Sequence, residues 1–270
     1  MFITATELQC FSDFLKRSSG VALANNKQYL VANRLRTLIM DMGIDRVSDL
    51  LTMIAVIPSN DLVIKAIDAM TTNEVFWFKE ASHFQCLEKK LLAKLTEKAS
   101  SLSVWSVACS SGEEAYSISL SIDKYLEESG QQVKANITAT DCSVEILNKA
   151  KAGIYTHEEL SRGLSNELRE EHFSGVRNGL QISLAHRSRV SFCPLNLFDD
   201  FSSIGQFDII FCRNVLPYFA DIHKSSILNR VIAVMKPGAY LFLGSSENIP
   251  TDIRGLDVIR EAGCKYYHKT

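Results

Sequence analysis

The spacing of apolar residues changes near Ser103, and this change constrains the fold more than any other feature of the chain. After that position, short apolar runs alternate with helical segments. These runs are Val104–Cys109, Ile137–Asp141, Val190–Leu197, Phe207–Cys212 and Tyr240–Gly244. Such alternation is typical of βαβ units, in which helices connect the strands of a mostly parallel sheet. The sequence therefore predicts an α/β domain over residues 99–270.

Two short β features are expected to extend this domain. The run Cys264–His268 and the apolar pair Val258-Ile259 predict a closing antiparallel hairpin. The dipeptide Asn178-Gly179 is a strong signal for a two-residue hairpin turn. We therefore expect a small β-hairpin insertion near residues 174–186.

The first part of the chain has the period of helices instead. Apolar residues recur there three and four positions apart. They are Leu8, Phe11, Phe14 and Leu15, then Leu30, Leu35, Leu38 and Ile39, then Leu50 and Ile54. This pattern predicts a helical domain over residues 1–70. Residues 71–98 form a junction segment and a connecting helix with Phe84, Leu87, Leu91 and Leu95 on one face.

Charge and cysteine content exclude several classes of protein. The 29 basic and 31 acidic residues give a net charge of −2, so we expect no attraction of the whole chain to nucleic acid or to a membrane. The seven cysteines are scattered and never spaced as CxxC. This usage predicts reduced thiols, mainly in the core, and no metal site. No signal peptide or membrane-spanning run is apparent, so we expect a cytoplasmic protein without direct membrane insertion.

One candidate site begins at the first predicted strand, Val104–Cys109. Small residues follow it, and then a helix opens with Glu113 and Glu114. Small residues let a ligand approach the backbone, and a helix start supplies free N–H groups. The full GxGxxG pattern is absent, and the two acids suit an ammonium or sulfonium group better than a pyrophosphate. The alternative is an ordinary strand-to-helix turn whose acids favour the helix dipole.

Asp141 ends the second predicted strand, at an edge where open α/β sheets bind ligands. A carboxylate there can accept hydrogen bonds from both hydroxyls of a ribose. The alternative is a structural role, because Asp141 or Ser143 could cap a helix over Val144–Lys151.

Two later strand ends are polar as well, at Asn196 and at Arg213-Asn214. Polar groups that collect at several strand ends are typical of a binding site. Arg213 directly follows an apolar strand, and an unpaired buried guanidinium is costly. It is either a ligand-binding residue or half of a structural ion pair with Asp208 or Glu247.

Several segments in order resemble the landmarks of the CheR family of chemotaxis-receptor methyltransferases. They are TTNEVFWFKE, VWSVACSSGEEAYSIS, ATDCSVEILNKAKAGIY, LNLF, FDIIFCRNVLPYF and MKPGAYLFLGSSENI. The resemblance implies a seven-stranded, Rossmann-like methyltransferase domain that binds S-adenosylmethionine and releases S-adenosylhomocysteine. It also implies the activity, methyl-ester formation on receptor glutamates during chemotactic adaptation.

The resemblance assigns roles to individual residues. It places Glu114 at the amino group of the donor's methionine, Asp141 at its ribose, and Asn196-Leu197 beside its adenine. Catalytic roles fall on Arg213, Tyr218 and Lys79, where donor and target carboxylate meet. The complete expected donor-binding set is Asn73, Val75, Lys79, Glu114, Asp141, Asn196, Leu197, Arg213 and Asn214.

The chain departs from the family pattern in the junction segment. Val75 stands where members usually carry Thr, and Lys79 where they carry Arg. Lys offers one compact charge, whereas Arg can hold a carboxylate with two parallel hydrogen bonds. Pro217, directly before Tyr218, is also unusual. These departures leave an alternative open, a degenerate member that binds receptor or donor without catalysis.

The expected partner is the cytoplasmic helical part of a chemotaxis receptor. Every charge between Asp13 and Asp41 is positive, and we call these residues the basic face. They are Lys16, Arg17, Lys27, Arg34 and Arg36. Such a face would match an acidic receptor helix, although a plain solvated surface is the alternative. The short hairpin insertion favours an enzyme that needs no receptor tail tether.

Two further classes of function are disfavoured by the sequence. A methyltransferase for small molecules has no need of the separate helical domain and basic face. A nicotinamide oxidoreductase would need the missing GxGxxG and would be repelled by Glu113 and Glu114.

Overall fold

The computed structural model describes residues 3–19, 28–56, 60–70, 75–97, 99–219, 221–261 and 263–270. The chain divides into two compact units. One comprises Met1–Asn73 with Leu216–Lys224, and the other Glu74–Val215 with Ser225–Thr270.

The first unit is helical. Its elements are α1 Ala5–Ser19, α2 Gln28–Asp41, α3 Val47–Val56, α4 Asn60–Asp68 and a 3₁₀ turn at Leu216–Tyr218. Helix α1 begins with a capping box, in which the Thr4 hydroxyl and the Glu7 carboxylate bind each other's backbone N–H. The predicted face of α1 is buried, from Leu8 to Leu15.

The buried face of α2 differs from the prediction. The structure buries Val31, Ala32, Leu35 and Ile39, whereas Leu30 and Leu38 are only partly buried. The prediction placed Leu30 and Leu38 on the buried face. The buried residues Val31, Leu35 and Ile39 are instead spaced four apart, as positions on one face of a helix are.

The second unit contains all the strands that the structure describes. They are β1 Ser101–Val107, β2 Lys134–Asp141, β3 Ile154–Tyr155, β4 Phe173–Val176, β5 Gly179–Ile182, β6 Val190–Pro194, β7 Phe207–Phe211, β8 Met235–Phe242, β9 Leu256–Glu261 and β10 Cys264–Lys269. Seven of them form one sheet in the order β6-β2-β1-β7-β8-β10-β9. The first five in that order are parallel, and β10 is antiparallel to both of its neighbours. The predicted α/β class, the mostly parallel sheet and the closing hairpin are confirmed.

The order of the strands determines where a ligand can bind. The chain runs outward from β1 through β2 to β6 on one side, and from β7 to β8 on the other. The direction of winding therefore reverses between β1 and β7. In open α/β sheets the ligand crevice lies beyond the carboxyl ends of the strands at such a switch point.

Helices separate most of these strands along the chain. Those that the structure describes are α5 Ala81–Cys86, α6 Leu92–Thr96, α7 Glu113–Ser129, α8 Val144–Ala152, α9 His157–Ser161, α10 Asn166–His172, α11 Leu184–Arg189 and α12 Asp221–Ala233. A π turn at Leu87–Leu91 joins α5 to α6. The predicted connecting helix is thus interrupted by a wider turn, and both Leu91 and Leu92 are buried.

The predicted hairpin insertion is present with a shifted turn. Strands β4 and β5 pair with Val176 opposite Gly179, so the two turn residues are Arg177 and Asn178. The prediction of an Asn178-Gly179 turn was wrong by one residue, because Gly179 starts β5 with a φ of 145°. Residues 184–186, expected in the hairpin, begin helix α11. The third strand of this small sheet, β3, comes from before the insertion.

The junction segment is anchored in the second unit by Trp77. Its indole is 1% exposed and packs edge-on against Tyr155 and Phe173. The backbone N–H of Trp77 donates to the Arg162 carbonyl at 2.9 Å. A Cβ atom on Gly163 would lie 2.1 Å from the Trp77 carbonyl oxygen, so only glycine fits there.

All seven cysteines lie among the described residues, and none forms a disulfide. Four of them, Cys86, Cys109, Cys212 and Cys264, are buried as expected for core thiols. Within the described ranges, no helix has the length and apolar character needed to cross a membrane.

A buried histidine of α11, His186, connects that helix to α7. The Nδ1 atom of His186 lies 2.8 Å from the Ser119 hydroxyl and 3.5 Å from an Asp123 oxygen. Its Nε2 atom lies 3.1 Å from Nδ1 of His172. Burial is the main cause that lowers the pKa of His186 to about 4; Asp123 opposes this shift, and His172 and Arg189 contribute to it.

This depressed pKa predicts a pH-dependent stability. Because unfolded His186 would bind a proton near pH 6.5, its contribution is complete above that pH and is lost as the pH falls toward 4. The loss should be on the order of 3 kcal/mol. Urea unfolding from pH 4.5 to 7.5 should show a shallower slope of unfolding free energy against pH in His186→Gln than in the wild type. Identical slopes would contradict the assignment.

Candidate functional site

The ends of the parallel strands β1 and β7 and the junction segment have an unusual backbone conformation near the switch point. Glu80 in the junction, Ala108 and Ser110 after β1, and Asn214 after β7 all have φ between 49° and 58°. Non-glycine residues adopt this left-handed conformation rarely, and such strain is concentrated at functional sites. The glycine that precedes α7, Gly112, has a φ of 96°. Helix α7 therefore begins from a tightly turned loop.

Arg213 is the buried cation of this region, with a side chain only 1% exposed. Its Nε and Nη2 atoms donate to Oε2 of Glu80 at 3.2 and 2.8 Å. Its Nη1 atom donates to Oε2 of Glu114 at 2.8 Å. Nη2 also donates to the backbone carbonyl of Lys79. The guanidinium thus joins the end of β7 to the junction segment and to α7.

The ion-pair partners expected for Arg213 were wrong. Asp208 instead accepts from Lys236 at 2.7 Å and from the backbone of Ser103 at 2.8 Å. Glu247 accepts from the backbone N–H groups of Asn214 and Gly244, at 2.8 and 2.5 Å. These acids brace the β7 and β8 ends, and the charge of Arg213 is met by Glu80 and Glu114.

Glu114 lies at the start of α7, and its carboxylate accepts two hydrogen bonds from described residues. Its Oε1 accepts from the Ser106 hydroxyl at 2.7 Å, and its Oε2 from Arg213. Burial raises the pKa of this carboxyl, while Arg213 and Ser106 limit the rise. With both acids ionised, the Glu80–Arg213–Glu114 network carries one negative charge in excess. A bound cation would complete the balance.

Glu113 has a different environment from its neighbour. The Ser111 hydroxyl donates to both of its oxygens, at 3.0 and 2.7 Å. The residue is 3% exposed, and burial raises the pKa of its carboxyl. Glu113 therefore closes the loop before α7, and Glu114 is the acid of the site.

Asp141 joins two loops at the carboxyl edge. Its Oδ2 accepts from the Ser110 N–H at 2.9 Å, and its Oδ1 from the Ser143 N–H at 3.1 Å. Burial raises the pKa of the Asp141 carboxyl despite these bonds. The helix cap is Ser143, whose hydroxyl accepts from the Ile146 N–H at 3.2 Å.

Three other residues predicted to bind the methyl donor, Asn196, Leu197 and Asn214, follow strands β6 and β7 at the same carboxyl edge of the sheet. After β6, the Asn196 side chain accepts from the Phe198 N–H at 3.0 Å, and Leu197 is buried. After β7, Asn214 is in close contact with Gly244, where a Cβ atom would lie 2.5 Å from Nδ2 of Asn214. These turns hold their side chains in defined positions.

The remaining predicted residues lie in the junction segment, in the helical unit or outside the described ranges. Val75 and Lys79 lie in the junction, partly buried, with the Lys79 ammonium 6.0 Å from the Phe76 ring centroid. Asn73 falls outside the described residues. Tyr218 belongs to the helical unit and packs against its core.

Two site residues were missed by the sequence analysis, Glu80 and Ser245. Ser245 donates its backbone N–H to Oε1 of Glu80 at 2.8 Å. Glu80 stands in the quoted junction segment, but an acid 133 positions before Arg213 gave no local signal of pairing. A charged residue among aromatic ones was the only available indication.

The fold and this site define a class, the S-adenosylmethionine-dependent methyltransferases with a seven-stranded sheet. Two family models match the chain. The CheR methyltransferase, SAM binding domain matches residues 73–262, and the CheR methyltransferase, all-alpha domain matches residues 6–71. The chain belongs to the CheR methyltransferase family, and its methyl donor is S-adenosylmethionine.

Curated relatives extend over nearly the whole chain. Chemotaxis protein methyltransferase Cher2 of Pseudomonas putida is 42% identical and covers 89% of this chain and 90% of its own. Chemotaxis protein methyltransferase 1 of Vibrio cholerae is 40% identical and covers 92% of this chain and 90% of its own. The chemotaxis protein methyltransferase of Escherichia coli is 34% identical and covers 88% of this chain and 82% of its own.

Removing the buried cation should destabilise the fold in a pH-dependent way. In Arg213→Met, Glu80 and Glu114 lose their charge partner, and the unfolding free energy at pH 8 should fall by about 3–5 kcal/mol. Because burial already raises the pKa of Glu114, mild acid should neutralise that residue and reduce the deficit. Urea unfolding at pH 8 and pH 5.5 measures both effects, with the exposed Arg260→Met as control. A deficit equal to that of the control would contradict the network.

Proposed function

We propose that this protein transfers the methyl group of S-adenosylmethionine to glutamate side chains of chemotaxis receptors in the cytoplasm, forming methyl esters. One observation carries the proposal, the ion-pair network of Glu80 and Glu114 around the buried Arg213 at the switch point of the sheet. Its excess negative charge suits a cationic donor, and its guanidinium suits a carboxylate acceptor.

On the donor side, three groups along the edge have matching chemistry. Glu114 would accept from the methionine ammonium, since its Oε1 has only the Ser106 hydroxyl as a partner among the described residues. Asp141 would accept from the ribose hydroxyls, and Asn196-Leu197 would lie beside the adenine. Asn73, Val75 and Asn214 complete the proposed donor-binding set.

On the acceptor side, Arg213 has limited capacity. A guanidinium has five N–H donors, and four hydrogen bonds to described residues already use four of them. Arg213 can therefore give the target carboxylate one hydrogen bond, from Nη1. We propose that Lys79 supplies the second contact and that Tyr218 helps to aim the methyl group.

Positioning is the main chemical task that remains for the protein. S-adenosylmethionine supplies an electrophilic methyl group on a sulfonium with a neutral leaving group. A glutamate side chain is ionised at neutral pH, given its ordinary pKa of about 4.3, so its attack needs no general base. Holding the carboxylate in line can lower the barrier by roughly 7–11 kcal/mol in favourable cases.

The experiment that tests this function uses receptor-containing membranes and donor with a labelled methyl group. The protein should incorporate label that mild base releases as methanol, because methyl esters are labile to base. Receptors with the target glutamates changed to alanine provide the control. Label that resists base, or that appears equally on the control receptor, would contradict the proposal.

Lys79 offers a sharper prediction. Lys79→Arg introduces the guanidinium that family members usually carry at the position of the proposed second contact. Because a guanidinium can hold a carboxylate with two parallel hydrogen bonds, this change should raise kcat/KM for the receptor a few-fold. Lys79→Ala removes the charge and should lower it by about 10- to 100-fold, as for loss of a charge-assisted hydrogen bond. Steady-state assays at saturating donor measure both variants. Equal activity of Lys79→Ala and wild type would exclude Lys79 from the acceptor site.

We propose further that the basic face binds an acidic receptor helix. Lys16 and Arg17 are exposed in the last turn of α1, and Arg36 is exposed on α2. Two large apolar residues, Tyr29 and Met40, share the side of α2 that carries Arg36 and are 81% and 71% exposed. Cations beside apolar side chains suit an amphipathic, acidic helix.

Arg34 has a different role from the rest of the basic face. Its Nη1 atom donates to the Met70 carbonyl at 2.5 Å, after the end of α4. It therefore stabilises the helical unit and is unsuitable for a charge-reversal test. Lys27 lies outside the described residues.

Reversing the exposed charges should weaken receptor binding. The triple variant Lys16→Glu, Arg17→Glu, Arg36→Glu should raise the Kd for receptor membranes more than about 10-fold at low salt, and less at high salt because ions screen exposed charges. The matched control reverses Lys94, Lys134 and Arg260, which are exposed in the second unit. Co-sedimentation at two salt concentrations measures the affinity. Equal Kd values for the two triple variants would place docking elsewhere.

A further inference from the structure

Glu80 is the point at which three segments of the second unit meet. It precedes α5 with φ 58° and ψ 64°, a strained conformation for a residue with a side chain. Its Oε2 binds Arg213 after β7, and its Oε1 accepts from the Ser245 N–H after β8. The Nδ1 atom of buried His83 lies 3.3 Å from Oε2. The carboxylate is thus held from several directions.

These contacts determine how the guanidinium of Arg213 is oriented. Glu80 takes the Nε edge and one Nη2 hydrogen, and the Lys79 carbonyl takes the other. Only Nη1, which binds Glu114, retains an N–H beyond the bonds to described residues. The ring of Phe84 lies 5.6 Å from the guanidinium carbon and limits its movement.

We propose that Glu80 is a positioning residue for methyl transfer, acting through Arg213 so that Nη1 faces both Glu114 and the target carboxylate. The inference rests on the proposed function for its acceptor. Glu80 also positions Lys79, because the guanidinium that it orients binds the Lys79 carbonyl. Both proposed contacts to the acceptor therefore depend on one carboxylate.

The charge of Glu80 has a second consequence, at Glu114. Burial is the main reason that the pKa of Glu114 is raised, and the nearby negative charge of Glu80 adds to the rise. Glu80 itself remains ionised, because the bonds from Arg213 and Ser245 bring the pKa of its carboxyl below the ordinary value although burial opposes them. Neutralising Glu80 should therefore let Glu114 ionise at lower pH.

The test combines single-turnover methyl transfer to receptor membranes with calorimetric binding of S-adenosylhomocysteine from pH 5 to 8. In Glu80→Gln, the transfer rate at saturating donor should fall by about 100-fold, the cost of a misplaced reactant. Binding of S-adenosylhomocysteine at pH 7.5 should change by less than about threefold. The acid limit of that binding, which is the pH below which affinity for S-adenosylhomocysteine is lost as Glu114 becomes protonated, should move to lower pH. Glu80→Asp, which keeps the charge, should show a smaller loss of rate and an unshifted acid limit.

The control is Glu88→Gln on the neighbouring π turn. Glu88 accepts hydrogen bonds from Ser121 and Lys124, and in the described part of the chain it forms no hydrogen bond with Arg213. Its loss should lower thermal stability without changing the transfer rate or the acid limit. A normal rate in Glu80→Gln, or a loss of rate without the pH shift, would overturn the inference. If the wild type transfers no methyl group to receptor membranes, the proposed acceptor is wrong. The shift of the acid limit in Glu80→Gln then still tests whether the charge of Glu80 acts on Glu114.

Discussion

The burial of Arg213 between two carboxylates is the interaction on which the rest of the site depends. A guanidinium that is 1% exposed is tolerable only with charged partners, and Glu80 and Glu114 supply them from the junction and from α7. Meeting this requirement brings together segments that are far apart in sequence. It also places a negative excess, a cation and a strained backbone at the switch point of the sheet.

Under the proposed function, the same network would bind two oppositely charged ligands at one site. Glu114 at the start of α7 suits a cationic donor, while Nη1 of Arg213 suits an anionic acceptor. Because the two groups are hydrogen-bonded to each other, each ligand would meet its partner within a short distance of the other ligand. In-line transfer needs such an arrangement more than it needs a base.

The sequence predicted the features that depend on local patterns. Parallel strands, the closing hairpin, the edge position of Asp141 and a helix cap at Asp141 or Ser143, which the structure places at Ser143, all follow from residues close together in the chain. The errors concern contacts over long separations or fine register. The acids assigned to Arg213, Asp208 and Glu247, are nearer to it in sequence than its true partners Glu80 and Glu114, which are 133 and 99 positions away. The turn at Arg177-Asn178 differed by one residue, because strand pairing and not the Asn-Gly preference decided the register.

The most direct test of the account asks whether Glu114 recognises the donor's ammonium. Calorimetry should compare S-adenosylhomocysteine with its analogue lacking the amino group, in the wild type and in Glu114→Gln. Loss of the ammonium should weaken binding to the wild type by about 10- to 100-fold, the value of a charge-assisted hydrogen bond. The same loss should cost the variant less than about threefold, since the partner acid is gone. Equal losses in the two proteins would mean that the ammonium binds elsewhere and that the network is structural only.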